Sequence, residues 1–392
     1  MKHFTGYLTA LILGAITWAL GQLAARYSAL VDMIYPYVTR TIQDALAQWS
    51  GGVDFCLWQF FLLLIVLAVA AALVMVVAMR WRPIRLGGWV LAFFSLLLLL
   101  NTLLFGLNKH AGSITDDIRL DVYDYSVDEL AAAAAYYRDE ANALAVQVSR
   151  DGKGNVVYSD FETLAEQAGA GFNTLVKERS FSVLAGSSVP VKKLGWSGIY
   201  NAMGVTGTTV GLTGEAAVNP KIPVVSLPFV MCREMAHRRC ILGAGDAEFA
   251  AFLAASANES LEFQYSAYYM AYRYCYQALL NAKADAAAQE VAAGVCQELQ
   301  HDMDAYERFF RKNMKEKVVH LSETASSTYQ RVSGEAAEKN AVCDLLVSWH
   351  YQEIILPTIT EEDVTFDPKD ETQVDLTTTQ VAPAGQEETD GE

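Results

Sequence analysis

Phe55-Cys-Leu-Trp-Gln-Phe-Phe-Leu-Leu-Leu-Ile-Val-Leu-Ala-Val-Ala-Ala-Ala-Leu-Val-Met-Val-Val-Ala-Met79 contains a single strongly polar residue, Gln59. About 20 apolar residues in helical form cross a bilayer core, so this stretch predicts a membrane span. Phe4–Ala25 and Leu86–Leu107 match it. Met1-Lys2-His3 resembles the charged start of a signal peptide, but a long apolar run without a small-residue cleavage site predicts a retained anchor. Lys2 on one side, and Arg80, Arg82 and Arg85 between the second and third runs, place the N-terminus and that turn inside by the positive-inside rule. Residues 26–54 then form an outer loop, and everything after Leu107 lies outside. Trp81 and Trp89 flank the turn at Pro83 as interfacial anchors.

The remaining composition is different. The chain has 392 residues, 53% hydrophobic and only 19% charged, against about 25% charged in ordinary soluble domains. Its net charge is −16, yet residues 1–107 carry +3, leaving −19 for residues 108–392. An acidic body excludes a nucleic-acid binder, which needs clustered Lys and Arg. The spans hold no acidic, basic or histidine side chain at mid-depth, which argues against a transporter.

Beyond Asp116 the pattern is that of amphipathic helices. Ser126-Val-Asp-Glu129 is a capping box that opens an alanine-rich helix to about Val148, broken by Asp151-Gly-Lys-Gly-Asn155. A second helix is expected over Asp160–Arg179. Glycines at 186, 195, 198, 204, 207, 211 and 214, among Thr and Val, mark a small strand region, best in Thr206–Leu212 and Ala216–Asn219. Ser226 to about Leu356 reads as helix. Pro357–Glu392, with eleven acids and one Lys, reads as a disordered acidic tail. Of six cysteines, Cys56 lies in a span and five lie in the body, an odd number that leaves at least one unpaired. Packed free thiols are expected.

The stretch with chemical content is Pro228-Phe-Val-Met-Cys-Arg-Glu-Met-Ala-His237, followed by Gly243-Ala-Gly-Asp-Ala-Glu-Phe249. Arg233-Glu-Met-Ala-His237 has the spacing of the zinc-peptidase motif H-E-x-x-H. In the intact motif residues i and i+4 share a helix face and hold one zinc ion, while the Glu activates the metal-bound water. Gly211-Leu-Thr-Gly-Glu-Ala-Ala-Val-Asn219, Leu227-Pro-Phe-Val-Met-Cys232, Glu234-Met-Ala-His237 and Ala247-Glu-Phe-Ala-Ala-Phe-Leu253 together resemble a bacterial membrane-protein family of uncharacterised function. This is the domain of unknown function numbered 3810, whose members read T-G-E-A-N-V-N, L-P-F-x-x-C-H-E-x-A-H and D-E-A-N-F in that order. The three spans, Tyr265–Tyr276 and Asp344-Leu-Leu-Val-Ser-Trp349 fit as well, so the resemblance covers all but the acidic tail. It implies a zinc-metallopeptidase-like fold with His237 as second ligand, Asp246 as third and Glu234 as general base.

This chain departs from that pattern at two ligands. Arg233 stands at the first ligand position, and arginine keeps its proton and has no lone pair to give. Asp246 stands where the family has Glu. Each residue also has a plain structural use. His237 could be a hydrogen-bonded half-buried histidine, Glu234 could pair with Arg238 one turn on, and Asp246 could cap a helix. The six tyrosines over 265–276 point around the whole helix and predict packing. His301, His320 and His350 have no ligand spacing.

The expected fold is mainly α, with three N-terminal transmembrane helices (1–107), an α+β, mostly helical, metallopeptidase-like extracytoplasmic domain (108–356) and the tail (357–392). The expected function is non-catalytic binding or scaffolding at the bacterial cell membrane, in contact with the lipid bilayer and with envelope proteins or peptides. No cofactor is expected. The alternative is an active zinc peptidase that recruits a ligand from His301, His320 or Glu259. An Arg233–Asp246 ion pair is expected to replace the metal as cross-link between two helices.

Overall fold

The computed structural model describes residues 4–78, 83–320, 324 and 341–358. Arg80, Trp81, Arg82 and nearly all of the acidic tail lie outside these described residues. Four long helices open the chain: α1 (Thr5–Arg26), α2 (Ser28–Ser50), α3 (Leu57–Ala78) and α4 (Pro83–Leu104). Of these, α1, α3 and α4 are long and apolar enough to cross a membrane. The first and last pack along each other through small residues, with Gly6, Ala10, Thr17, Gly21 and Ala24 facing Gly88, Ala92, Leu99 and Thr102. A methyl group on Gly6 would stand 2.5 Å from the Gly88 carbonyl carbon, so close backbone approach requires glycine there. This is the usual way helices associate where lipid removes the hydrophobic drive. Gly6 meets Gly88 near both N-termini, so α1 and α4 run in the same direction and α3 returns between them in sequence.

The expected outer loop 26–54 is instead the helix α2. It was missed because its faces are reversed: Thr39, Gln43, Ala47 and Ser50 are buried, while Leu30, Met33, Ile34, Tyr37 and Val38 face outward. Tyr35 donates its hydroxyl to the Thr102 carbonyl at 3.0 Å, and Gln43 donates to the Leu104 carbonyl at 3.1 Å. Those two side chains start about 12 Å apart along α2 yet reach the same end of α4, so α2 crosses that end transversely. It thereby satisfies carbonyls that a helix terminus leaves without partners.

The body continues with α5 (Thr115–Ile118), α6 (Val127–Ala145), α7 (Phe161–Gln167), α8 (Ala170–Glu178), α9 (Ser197–Met203), α10 (Leu227–Arg238), α11 (Ala244–Ser256), α12 (Leu261–Asn281), α13 (Asp285–Ala293), α14 (Gln297–Asn313) and α15 (Val342–His350). The predicted capping box closes: Ser126 Oγ accepts the Glu129 amide at 3.2 Å, and Glu129 accepts the Ser126 amide at 2.7 Å. Asp160 caps α7 by accepting the Thr163 amide, but the helix expected over 160–179 is two, divided at 168–169. Tyr265, Tyr269 and Tyr272 of α12 are fully buried in the core. All six cysteines are free, five of them buried.

Three short strands, β1 (Lys192–Lys193), β2 (Gly207–Val210) and β3 (Glu215–Val218), form a mixed sheet in the order β1-β3-β2. The central strand β3 is parallel to β1 and antiparallel to β2, and every one of its residues is buried. Its first residue joins the body to the membrane helices. Glu215 accepts the backbone amides of Leu57 (2.8 Å) and Trp58 (2.9 Å) at the N-terminus of α3, and the ammonium of Lys192 at 2.7 Å. Lys192 also donates to the carbonyls of Ser50 (2.7 Å) and Phe55 (3.0 Å). One buried ion pair therefore closes the end of α2 and the start of α3, with all three ammonium donors used. Gln59, the lone polar residue of the second apolar run, accepts the Gly195 amide at 3.0 Å and donates to Tyr200.

Breaking a buried pair from one side leaves an uncompensated charge and costs about 3–5 kcal/mol, whereas an apolar pair of similar volume is often tolerated. Glu215→Ala and Lys192→Met should each lower the melting temperature of the full chain in detergent severely. The double variant Glu215→Leu/Lys192→Met should recover much of that loss, and a double loss equal to the sum would contradict the pairing.

Candidate functional site

The helix α10 begins with Pro228 in its first turn, where a missing N–H costs nothing, and packs on β2, β3 and α11. Arg233 and His237 share one face, as the i, i+4 spacing requires. Arg233 does not reach Asp246. Its Nη2 donates to Glu234 Oε1 at 2.8 Å and to Thr206 Oγ1 at 2.9 Å. Burial pulls its pKa down, but Glu234, together with Tyr274 and Glu248, more than offsets this and holds it above the ordinary value. Glu234 is 2% exposed, and its other oxygen accepts Thr209 Oγ1 at 3.0 Å. Gly207 leaves room for it: a methyl group there would lie 2.7 Å from Glu234 Cγ. The i+4 pairing of Glu234 with Arg238 is likewise absent, because the nearer guanidinium takes the carboxylate. Both Glu234 oxygens therefore accept hydrogen bonds, one from Arg233 and one from Thr209.

His237 donates Nδ1–H to the Ile241 carbonyl at 2.9 Å, since a carbonyl oxygen can only accept. Burial first, and the charge of Arg233 second, lower its pKa, while Glu234 pulls the other way. Asp246 sits in the first turn of α11 and accepts Ser113 Oγ at 2.6 Å; the N-cap is Gly243. Asp246 therefore is neither the cap nor the partner of Arg233. Two residues on, Glu248 lies on the opposite side of α11, and its charge acts on Arg233 and on Tyr274.

These residues do not suit a zinc ion. The first ligand position carries a guanidinium bonded to the prospective base, and the carboxylate expected as third ligand is turned toward Ser113. Among the described residues no group of three or more His, Cys, Asp or Glu side chains is placed to hold a metal. The alternative ligands are dispersed: His301 Nδ1 lies 3.7 Å from Asp302, whose oxygens are taken by Arg150 and Tyr265, and Glu259 and His320 are exposed.

Sequence reasoning missed the far end of α10. Arg238 and Arg239 are 2% and 1% exposed. Arg239 donates to the carbonyls of Leu184 (2.9 Å) and Met235 (3.1 Å) and stacks 4.0 Å above the Phe172 ring. Arg238 donates to the carbonyls of Ser187 and Val189. Burial lowers their pKa values to about 10 and about 9, with Asp44 of α2 opposing the shift in both. The available signal was the helix before them, which apart from Arg233, Glu234 and His237 is apolar and offers no solvated face for two more cations. Beside this end lies a cleft of about 490 Å³ between α2, residues 108–117 and the 240–246 turn.

His237 and His350 both have pKa values lowered by burial. Below the ordinary value of 6.5 the unfolded chain takes up protons that the folded chain refuses, so stability falls as pH drops from about 6.5 toward the folded values. Melting temperature should decrease between pH 7 and pH 5, and His237→Gln should flatten that dependence. An unchanged slope would show that His237 is not protected.

The sequence profile of the family described as "Protein of unknown function (DUF3810)" matches residues 31–346. No curated protein and no solved structure matches the chain at a significant level. The matched segment starts within α2, includes α3, α4 and the body's helices and sheet, and ends within α15. The chain belongs to the DUF3810 family, proteins of unknown function.

Proposed function

We propose that the chain is a membrane-anchored, non-catalytic binding or scaffolding protein of the bacterial cell envelope, built on a metallopeptidase-like body whose metal position has become a structural ion pair. The observation that carries this reading is the Arg233 guanidinium, 2.8 Å from Glu234 Oε1, where the H-E-x-x-H pattern would place its first imidazole. A cation at that point does electrostatically what a metal would, neutralising a buried carboxylate, without activating a water molecule. The body lies on the side where α1 and α4 end and α3 begins. With Lys2 preceding α1, and Arg80, Arg82 and Arg85 falling in the sequence between α3 and the first turn of α4, the positive-inside rule makes the body's face extracytoplasmic.

Arg233→Ala should destabilise the full chain by about 3 kcal/mol, the low end for a broken buried pair because a fifth of the Arg233 side chain remains in water. Elemental analysis of the full chain, purified in detergent without chelator, should give well under one zinc per chain. One tightly held zinc that is lost on His237→Ala would overturn the reading in favour of a working peptidase.

A further inference from the structure

The cleft beside α2 joins two surfaces of opposite character. Leu30, Met33, Ile34, Tyr37 and Val38, at helical spacing along α2, are each half or more exposed. They form an apolar stripe on the face of α2 opposite the buried Thr39, Gln43, Ala47 and Ser50. The helix follows the membrane span α1 after one intervening residue, Tyr27, and lies across the end of the membrane span α4. A transverse helix at that level with an outward apolar face is positioned to lie in the boundary between headgroups and acyl chains.

Met33 and Tyr37 belong both to this stripe and to the lining of the cleft. The inner lining is charged with both signs: Arg40 and Lys109 on one hand, Asp32, Asp117 and Asp246 on the other. Asp32 accepts the Gly112 amide at 2.6 Å, Asp246 accepts Ser113, and Arg40 donates to the carbonyls of Ser182 (3.2 Å) and Arg239 (3.3 Å), so these carriers are held in place. A volume of about 490 Å³ falls in the range of small-ligand sites, about 300–1,000 Å³. A simple anion would meet three carboxylates there, and a simple cation two basic groups. A ligand carrying a phosphate and an ammonium can engage both sets. Carboxylates that accept hydrogen bonds favour a primary ammonium, with three donors, over a quaternary one with none.

We propose that this cleft binds the headgroup of a membrane aminophospholipid, its phosphate toward Arg40 and Lys109, its primary ammonium toward Asp32, Asp117 and Asp246, and its acyl chains along the α2 stripe. Burial already pulls Lys109 down to about 8, and a bound phosphate would reverse that direction. The site is separate from the Arg233–Glu234 pair and stands whether or not that pair has replaced a metal.

The test is native mass spectrometry of the full chain released from maltoside micelles and titrated separately with four probes. These are dihexanoyl phosphatidylethanolamine, phosphatidylcholine and phosphatidylglycerol, and chain-free phosphoethanolamine. One saturable adduct is expected with phosphatidylethanolamine, at least tenfold tighter than with the other three. Lys109→Gln and Asp117→Asn should each weaken it tenfold or more, and Ile34→Glu should weaken the lipid adduct too. Equal binding of all three lipids, or no saturable adduct, overturns the proposal without reference to any variant. Phosphoethanolamine bound as tightly as the lipid would overturn the membrane source. Variants that keep the parent's melting temperature and lipid affinity would overturn the assignment of the charges.

Discussion

The ion pair between Glu215 and Lys192 is the constraint on which the arrangement of membrane helices and body depends. A helix crossing lipid satisfies its own backbone except at its ends, where amides and carbonyls lack intrahelical partners. Glu215 accepts two such amides at the start of α3 and adds a negative charge where the helix dipole is positive. Lys192 reaches the last carbonyl of α2, and Tyr35 and Gln43 meet the last carbonyls of α4. All these partners come from α2 or from the small sheet. The sheet of ten residues is too small to be a core in its own right and serves as the joint between two larger helical units.

The same economy of buried charge runs through α10. Arg233 and Glu234 neutralise each other against β2, while Arg238, through Nη2, and Arg239 donate to backbone carbonyls near Asp44. Each cation is met by fixed oxygen acceptors, which tie the helix to the sheet and the core. In this arrangement the three polar residues of Arg233-Glu-Met-Ala-His237 each serve packing. Position 233 contributes charge, position 234 anchors to the sheet through Thr209, and position 237 fixes the following turn through Ile241.

What the sequence made legible was local. The spans, the Ser126–Glu129 capping box, the glycine-rich strands and the tyrosine-rich packing helix are all decided within a dozen residues, where composition and period speak directly. Three things were not local. Helix α2 hides a buried face made of Thr39, Gln43, Ala47 and Ser50, so the apolar-inside rule pointed the wrong way. Glu215 sits among Gly, Ala and Val with nothing nearby to show that its partners lie 23 and about 158 positions away. Arg233 was read toward Asp246 because the family pattern joins those positions, whereas its own neighbour Glu234 offers a closer carboxylate at no cost in chain entropy. An acidic residue inside an otherwise apolar strand was the available clue to the joint.

The most direct test of this account is amide hydrogen exchange at Leu57 and Trp58 in the full chain, reconstituted in bilayer nanodiscs. Their amides belong to the first turn of α3 and would be open to exchange if nothing accepted them. The account predicts protection comparable to the interior of the helix, lost selectively at these two positions in Glu215→Gln while Leu62 and its neighbours stay protected. Exchange at the rate of a free helix terminus in the parent chain would show that the carboxylate does not hold α3, and that the body and the membrane helices are joined in some other way.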